Sequence, residues 1–187
     1  MDFEIRAVRE AEWEELRELR LAALQNAPRA FGETYAEALA LPDASWRERA
    51  AKGARPESRV IVAQARDGSW IGTARMGLAV ESSAEEPLPV EVDALPVVEI
   101  MGVFVRPEHR GGGDSGVAAR IVRESCDWAN TEFGAAWAVL DVRDDNPRAL
   151  AFYRKLGFTD SGIRLPSEAV VEPGVPGSTE VRMMKRL

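Results

Sequence analysis

The sequence predicts one α+β domain built on a mixed sheet, and three observations carry that reading. Strand-like and helix-like stretches alternate along the chain with no internal repeat. Two strand candidates, at 58–65 and 69–80, flank the hairpin signal Asp67-Gly68. An almost wholly apolar run, Pro96 to Val105, passes through a short glycine-rich loop into an amphipathic stretch, as a sheet-centre strand feeding a helix would. With 187 residues, 45% hydrophobic and 29% charged, the chain can bury its own core, so residues 1–187 are expected to form a single domain.

The elements follow in order. A strand near 3–8 leads into a helix at about 11–25, in which Trp13, Leu16, Leu19 and Ala23 recur at helical spacing until Asn26 and Pro28 stop it. A second helix is expected after Phe31-Gly32 and a short third one in "DASWRERAAKG". The hairpin comes next, then the apolar strand at 96–105. Residues 117–130 read as a helix, 135–142 as a strand, and 146–158 hold a helix capped by Asn146, opened by Pro147 and ended by Gly157. A strand near 158–165, a proline- and glycine-rich excursion and a last strand, "TEVRMMKRL", complete the order.

Composition narrows the function. The single cysteine, Cys126, cannot form an internal disulfide, and no Cys/His cluster suggests a metal. The first residues lack a secretory pattern and no run approaches the roughly 18 apolar residues of a membrane span, so a cytoplasmic location is expected. A net charge of −7 argues against nucleic acid and favours neutral or cationic small molecules. Glu81, Glu85, Glu86, Glu91 and Asp93 form an acidic stretch with no intervening Lys or Arg. It reads either as a solvated loop or as a rim that concentrates an amine.

The decisive stretch is "RGGGDSG" at 110–116. Three readings compete for it. A flexible linker has no reason to sit between a buried strand and an amphipathic helix. A dinucleotide loop fits Gly111, Gly113 and Gly116, with Asp141 as the ribose acid. That fingerprint, however, wants its turn directly at the strand end, and here Arg106 to Arg110 intervene. An anion cradle needs only bare amides and the positive end of a helix, and the order strand, glycine loop, helix supplies both.

The third reading brings a resemblance with it. "VFVRPEHRGGG" followed by "NPRALAFYRKLGF", in this order and separation, resembles the GNAT superfamily of acyl-CoA-dependent N-acyltransferases. Its pyrophosphate signature, Arg-x-x-Gly-x-Gly/Ala, maps onto Arg110, Gly113 and Ser115. The match is good over about 96–160 and extends more loosely over the chain. It implies an α/β/α arrangement in which a mixed, mostly antiparallel sheet of six to seven strands, with splayed central strands, is flanked by helices.

The resemblance also implies the site. The pantetheine arm of acetyl-CoA would lie along Val103, Phe104 and Val105. The amides of Gly111, Gly112, Gly113, Ser115 and Gly116 would hold the pyrophosphate, with Arg110 positioning the loop and Asn146 near the arm. Gly102, inside a bulky strand, suggests a bulge or a close backbone approach. Two positions depart from the pattern. Ser115 could donate its hydroxyl to a phosphate. Asp114 beside a diphosphate would cost about 1 kcal/mol in water-like surroundings and about 4 at an effective dielectric near 20, unless it turns away to cap the helix.

For catalysis, the resemblance makes Tyr153 the proton donor to the departing thiolate. Ala149, Phe152 and Leu156 form one apolar stripe, and Tyr153, about 100° round from Phe152, would face the cleft. Glu99, a carboxylate in an apolar strand, is the candidate general base. The other readings leave it at an exposed strand start or paired with an arginine such as Arg75. His109 reads as a solvated loop residue and Cys126 as a small buried group. The implied function is transfer of an acetyl group from acetyl-CoA to a primary amine of a small molecule or peptide, by direct attack. Phe31, Tyr35 and Trp70 would line the acceptor side. A homodimer follows from family habit alone, and the rival function is an acyl-CoA sensor of the same fold without catalysis.

Overall fold

The computed structural model describes residues 2–79, 96–167 and 179–187. The acidic stretch at 81–95 and most of the proline- and glycine-rich excursion lie outside the described residues. The order is β1 (Phe3–Ala7), α1 (Trp13–Asn26), α2 (Tyr35–Ala40), α3 (Asp43–Gly53), β2 (Ala54–Arg55), β3 (Ser58–Ala65), β4 (Trp70–Ala79) and β5 (Val97–Val105). It continues with α4 (Val117–Phe133), β6 (Trp137–Arg143), α5 (Pro147–Lys155), β7 (Thr159–Pro166) and β8 (Thr179–Arg186). Short 3₁₀ turns lie at Pro28–Ala30, Pro107–His109 and Gly113–Ser115.

The sheet runs β1-β3-β4-β5-β6-β8-β7, with β2 paired to β3 at its side. All pairings among the described residues are antiparallel except β5 with β6. The fold is the expected α+β arrangement. The two-residue β2 brings the sheet to eight strands, one more than the upper expectation, because the chain leaving α3 turns back on Ser58 and Arg59 before the hairpin begins.

Two layers of helix cover the sheet. The buried face of α1, Trp13, Leu16, Leu19, Ala23 and Leu24, joins Trp46 of α3, Val62 of β3 and Phe104 of β5 in one core. On the opposite face, Val117, Ile121, Val122, Cys126 and Ala129 of α4 recur every three or four residues. They pack with Ile71, Val98, Ile100, Leu140 and Met183 of the sheet and with Leu150 of α5. The helix ends obey local chemistry. Thr34 and Glu37 form a reciprocal capping box at α2, with bonds of 3.1 and 2.8 Å. Gly134, left-handed, closes α4.

Candidate active site

The site begins with a seam that stops. β5 and β6 pair only through Val97, Val98 and Glu99 with Trp137, Ala138 and Val139, although β5 continues to Val105 and β6 to Arg143. Beyond Glu99, β5 is laddered to β4 alone among the described residues, so the two parallel strands diverge into a fork. Because they are parallel, the fork opens toward the carboxyl ends of both, where the chain leaves for α4 and for α5. A fork of this kind, with one strand edge unpaired, can accept an extended ligand as an extra strand.

Gly102 sets the geometry of that edge. In the β4–β5 ladder Thr73 faces Phe104 and Arg75 faces Met101, leaving Gly102 and Val103 opposite the single residue Ala74. This is a β-bulge with its glycine at φ +60°, a conformation that side chains rarely adopt. The extra residue reverses the alternation. Val98 and Ile100, then Val103 and Val105, face α4, while Phe104 joins the core beneath α1.

At the open end stands the glycine loop. Gly111, Gly112 and Gly113 all have positive φ, and Gly116 is the N-cap of α4. The loop is wound so tightly that a Cβ on Gly116 would lie 2.1 Å from the carbonyl oxygen of Gly111. Open space surrounds Gly111 and Gly113. Among the described residues, the amides of Gly111, Gly112, Gly113 and Asp114 and of Val117, Ala118 and Ala119 donate to no acceptor, whereas those of Ser115 and Gly116 close the 3₁₀ turn. The loop therefore offers bare N–H groups next to the positive end of a 17-residue helix, which is what a diphosphate requires.

Arg110 ties this loop down. Its Nε donates to the Val105 carbonyl at 2.8 Å, its Nη2 donates to Asn26 Oδ1 at the end of α1, and its guanidinium stands 5.7 Å from the Phe104 ring. Ser115 spends its hydroxyl proton inside the loop, on the Gly112 carbonyl at 3.0 Å, rather than offering it outward. Asp114 does not cap α4, whose N-cap has no side-chain bond. Its largely exposed carboxylate instead lies 3.7 Å from Arg123, one turn or more along the helix, and Arg123 also donates to the Asp114 carbonyl. The charge departure is thus answered by a cation, not by a cap.

Glu99 occupies the last rung before the fork. Its nearest cation is Arg182 of β8, at 3.6 Å, rather than Arg75, which reaches Ser58. Arg182 is only 4% exposed and donates to both oxygens of Asp141 on β6, at 2.9 and 2.7 Å. Asp141 and Arg182 are register partners across β6 and β8. One guanidinium therefore spans three strands at the apex of the fork.

α5 starts from the end of β6 with Asn146, whose Oδ1 accepts from the Ala149 amide at 3.0 Å, and Pro147 follows at the first helical position. Leu150 and Leu156, with Ala149, Phe152 and Tyr153 partly buried, pack into the α4-side core. Phe152, expected to face the core, and Tyr153, expected at the cleft, both pack partly buried against the α4-side core. The two rings stack edge to face at 5.0 Å, and Tyr153 also meets Phe158 at 6.0 Å. Burial pushes the Tyr153 phenol above its ordinary value, and its hydroxyl makes no hydrogen bond with any described residue.

The connection between α1 and α2 covers the other side. Phe31 is buried, with its ring edge 4.0 Å from where a Cβ at Gly102 would stand and the Arg20 guanidinium 4.5 Å from its centre. Glu33 holds Arg20 at 3.1 Å and Arg49 at 2.6 Å. Burial opposes its ionisation, but the hydrogen bond and charge of Arg49, with Arg20, bring its pKa below the usual carboxylate range. Arg143, at the end of β6, donates to the Arg29 carbonyl at 3.2 Å, and Arg29 lies 3.5 Å from Asp145. The turn after α1 thereby reaches from Arg110 to the far side of the fork.

Other expected residues lie elsewhere. Trp70, at the start of β4, is buried in the α1-side core and sits far along the ladder from Gly77, the partner of Glu99. It borders a separate groove of about 350 Å³ with Glu15, Glu18, Arg106 and His109. Tyr35 packs at the edge of the same core. Burial pushes the Cys126 thiol up to about 11, so it is a poor nucleophile. Among the described residues, no three His, Cys, Asp or Glu side chains gather into a metal site. Arg182, Asn26 and Arg143 were not anticipated. For the two arginines the signal was a charged residue in an otherwise apolar strand, as in "VLDVR" and "EVRMM", whereas Asn26 carries none beyond ending α1.

This combination of split parallel seam, strand bulge and glycine loop before a helix defines an acyltransferase architecture. The sequence profile of the Acetyltransferase (GNAT) family matches residues 8–158. The chain belongs to that family and is a GNAT acetyltransferase. A comparison with curated proteins finds no match. Among solved structures, the acetyltransferase of GNAT family from Streptococcus pneumoniae is 14% identical with a TM-score of 0.74, each chain being covered completely. Spermidine N-acetyltransferase from Vibrio cholerae, in complex with CoA and spermine, is 18% identical over 98% of this chain and 95% of that one, with a TM-score of 0.69. yncA from Salmonella typhimurium, with its cofactor acetyl-CoA, is 19% identical over 100% and 94%, with a TM-score of 0.70. At these identities the likeness is one of fold. No helix of the described residues is long and apolar enough to cross a membrane.

Proposed function

We propose that the protein moves the acetyl group of acetyl-CoA to a primary amine of a small molecule or peptide, by direct attack of the amine. The observation that carries the proposal is the alignment of the unpaired β5 edge, which begins after Glu99, with the seven unclaimed amides between Gly111 and Ala119 at its open end. The loop fits a diphosphate, since a side chain at Gly116 would fill the turn. Acetyl-CoA supplies an activated acyl thioester.

The chain's own residues do the rest. The backbone of Val103, Phe104 and Val105 would pair with the amide-bearing arm, while the free amides of Gly111, Gly112, Gly113 and Asp114 and of Val117 to Ala119 at the start of α4 would hold its pyrophosphate, with Ser115 and Gly116 shaping the turn between them. Arg110 fixes the loop to β5 and α1. Asn146 stands where α5 leaves the fork. Glu99 accepts a proton from the incoming ammonium through water. Tyr153, kept protonated by burial, gives one to the departing sulfur. The net charge of −7 suits a cationic acceptor, and the Vibrio cholerae relative solved with spermine offers a polyamine as the first candidate.

Thermal stabilisation by acetyl-CoA, combined with thiol release when an amine panel is added, tests the reading. Both signals are expected, with polyamines and peptide amines ahead of neutral amino acids. Tyr153→Phe should keep the stabilisation and lower release about tenfold or more. Stabilisation without release from any amine would favour the sensor, and the absence of stabilisation would end both readings.

A further inference from the structure

Arg182 is a buried cation that the proposed mechanism does not use. A guanidinium 4% exposed is expensive to desolvate, and Asp141 takes two of its hydrogen bonds. Yet it also lies 3.6 Å from Glu99, on a strand to which β8 is not paired. The place matters. Glu99 and Val139 are the last rung of the β5–β6 seam, Val139 faces Met184, and two residues further on Asp141 faces Arg182. The guanidinium therefore sits where the two strands part, 3.6 Å from the carboxylate on their last paired rung. A pair serving only to join β6 and β8 would gain nothing from extending to β5.

We propose that Arg182 is a positioning residue of acyl transfer. Anchored on Asp141, it holds the Glu99 carboxylate in the orientation in which that group receives the proton of the amine. Arg182 itself touches neither donor nor acceptor. The inference rests on the role given to Glu99 above. The neighbour of Glu99 is thus a cation and not only an apolar wall. Asp141 becomes a second support at one remove, since its two oxygens fix the plane of the guanidinium.

A double-mutant cycle tests this with the full-length protein, acetyl-CoA and the best amine of the panel. Glu99→Gln and Arg182→Met are expected each to lower kcat about tenfold or more, to leave the acetyl-CoA dissociation constant within about twofold, and to show no further loss when combined, since one acts through the other. Arg182→Lys, which keeps the charge but not the forked contact with Asp141, should restore part of the loss. Losses that multiply in the double mutant, or an Arg182→Met enzyme with full kcat, would overturn the proposal. A Glu99→Gln enzyme with full activity would instead remove the reading on which it rests. If Arg182→Met does not fold, as judged by lost acetyl-CoA binding, the same cycle is run with Arg182→Lys, and multiplying losses there overturn the proposal equally.

Discussion

A Cβ on Gly116 would stand 2.1 Å from the carbonyl oxygen of Gly111, so the loop at the end of β5 closes on itself through two glycines five residues apart. No side chain fits without moving backbone. Gly116→Ala is expected to weaken acetyl-CoA binding at least tenfold and to destabilise the fold by about 1–3 kcal/mol, as forced overpacking does. Isothermal titration and a denaturant melt check the two effects separately.

Arg110 ties the glycine loop to two elements through one side chain, contacting Val105 and Phe104 of β5 and Asn26 of α1. Each charged hydrogen bond of this kind is worth about 1.5–3 kcal/mol. Arg110→Ala should raise KM for acetyl-CoA about tenfold or more with a smaller change in kcat. Arg110→Lys should rescue little, because one ammonium cannot serve the Nε and Nη2 partners together. Steady-state kinetics with varied acetyl-CoA distinguish these outcomes.

Asp114 brings a carboxylate to the edge of a loop built for an anion, and Arg123 stands 3.7 Å from it. Both side chains are solvated, so the repulsion of a bound diphosphate is partly cancelled and screened. Asp114→Asn should tighten acetyl-CoA about two- to fivefold at low ionic strength, and the gain should vanish near 0.5 M salt. Affinity that is unchanged at low salt would mean that Arg123 neutralises the carboxylate fully.

Cys126 links burial to pH. Burial pushes its thiol up to about 11, well above the ordinary cysteine range. The native state therefore keeps a proton that the unfolded chain loses, and stability falls as pH rises through that window. The contribution amounts to about 1 kcal/mol between pH 8 and pH 10. Melting temperatures of the wild type and Cys126→Ala, compared across this range, should converge as pH increases.

Most of the elements could be read from the chain because local chemistry and burial agree there. Asn146, Pro147 and Gly157 bracket α5, Asp67-Gly68 turns the hairpin, and the apolar spacing of α1 matches its buried face. The glycine loop was legible for the same reason, since its backbone demands are written in residue type. Charge partners were not. Glu99 could be seen as odd, but its partner lies 83 residues away on a strand whose place beside β6 no local pattern fixes. The sequence shows Asp141 only as the end of a strand, whereas strand order gives it Arg182 as a partner. Asp114 offers the same lesson on a smaller scale. A carboxylate near a helix start suggests a cap, yet the 3₁₀ turn at Gly113–Ser115 puts Gly116 in that position.

The three-rung seam divides the sheet into two leaves, one ending in β5 and the other made of β6, β8 and β7. The anion loop and Glu99 ride on the first leaf, Asn146 and Tyr153 on the second, and Arg182 is a rivet between them. A small rotation about residues 97–99 would alter the spacing of acid and base while leaving the diphosphate cradle intact. The architecture thus separates holding the donor from aligning the proton carriers, and a ligand laid between the leaves would act as their splint.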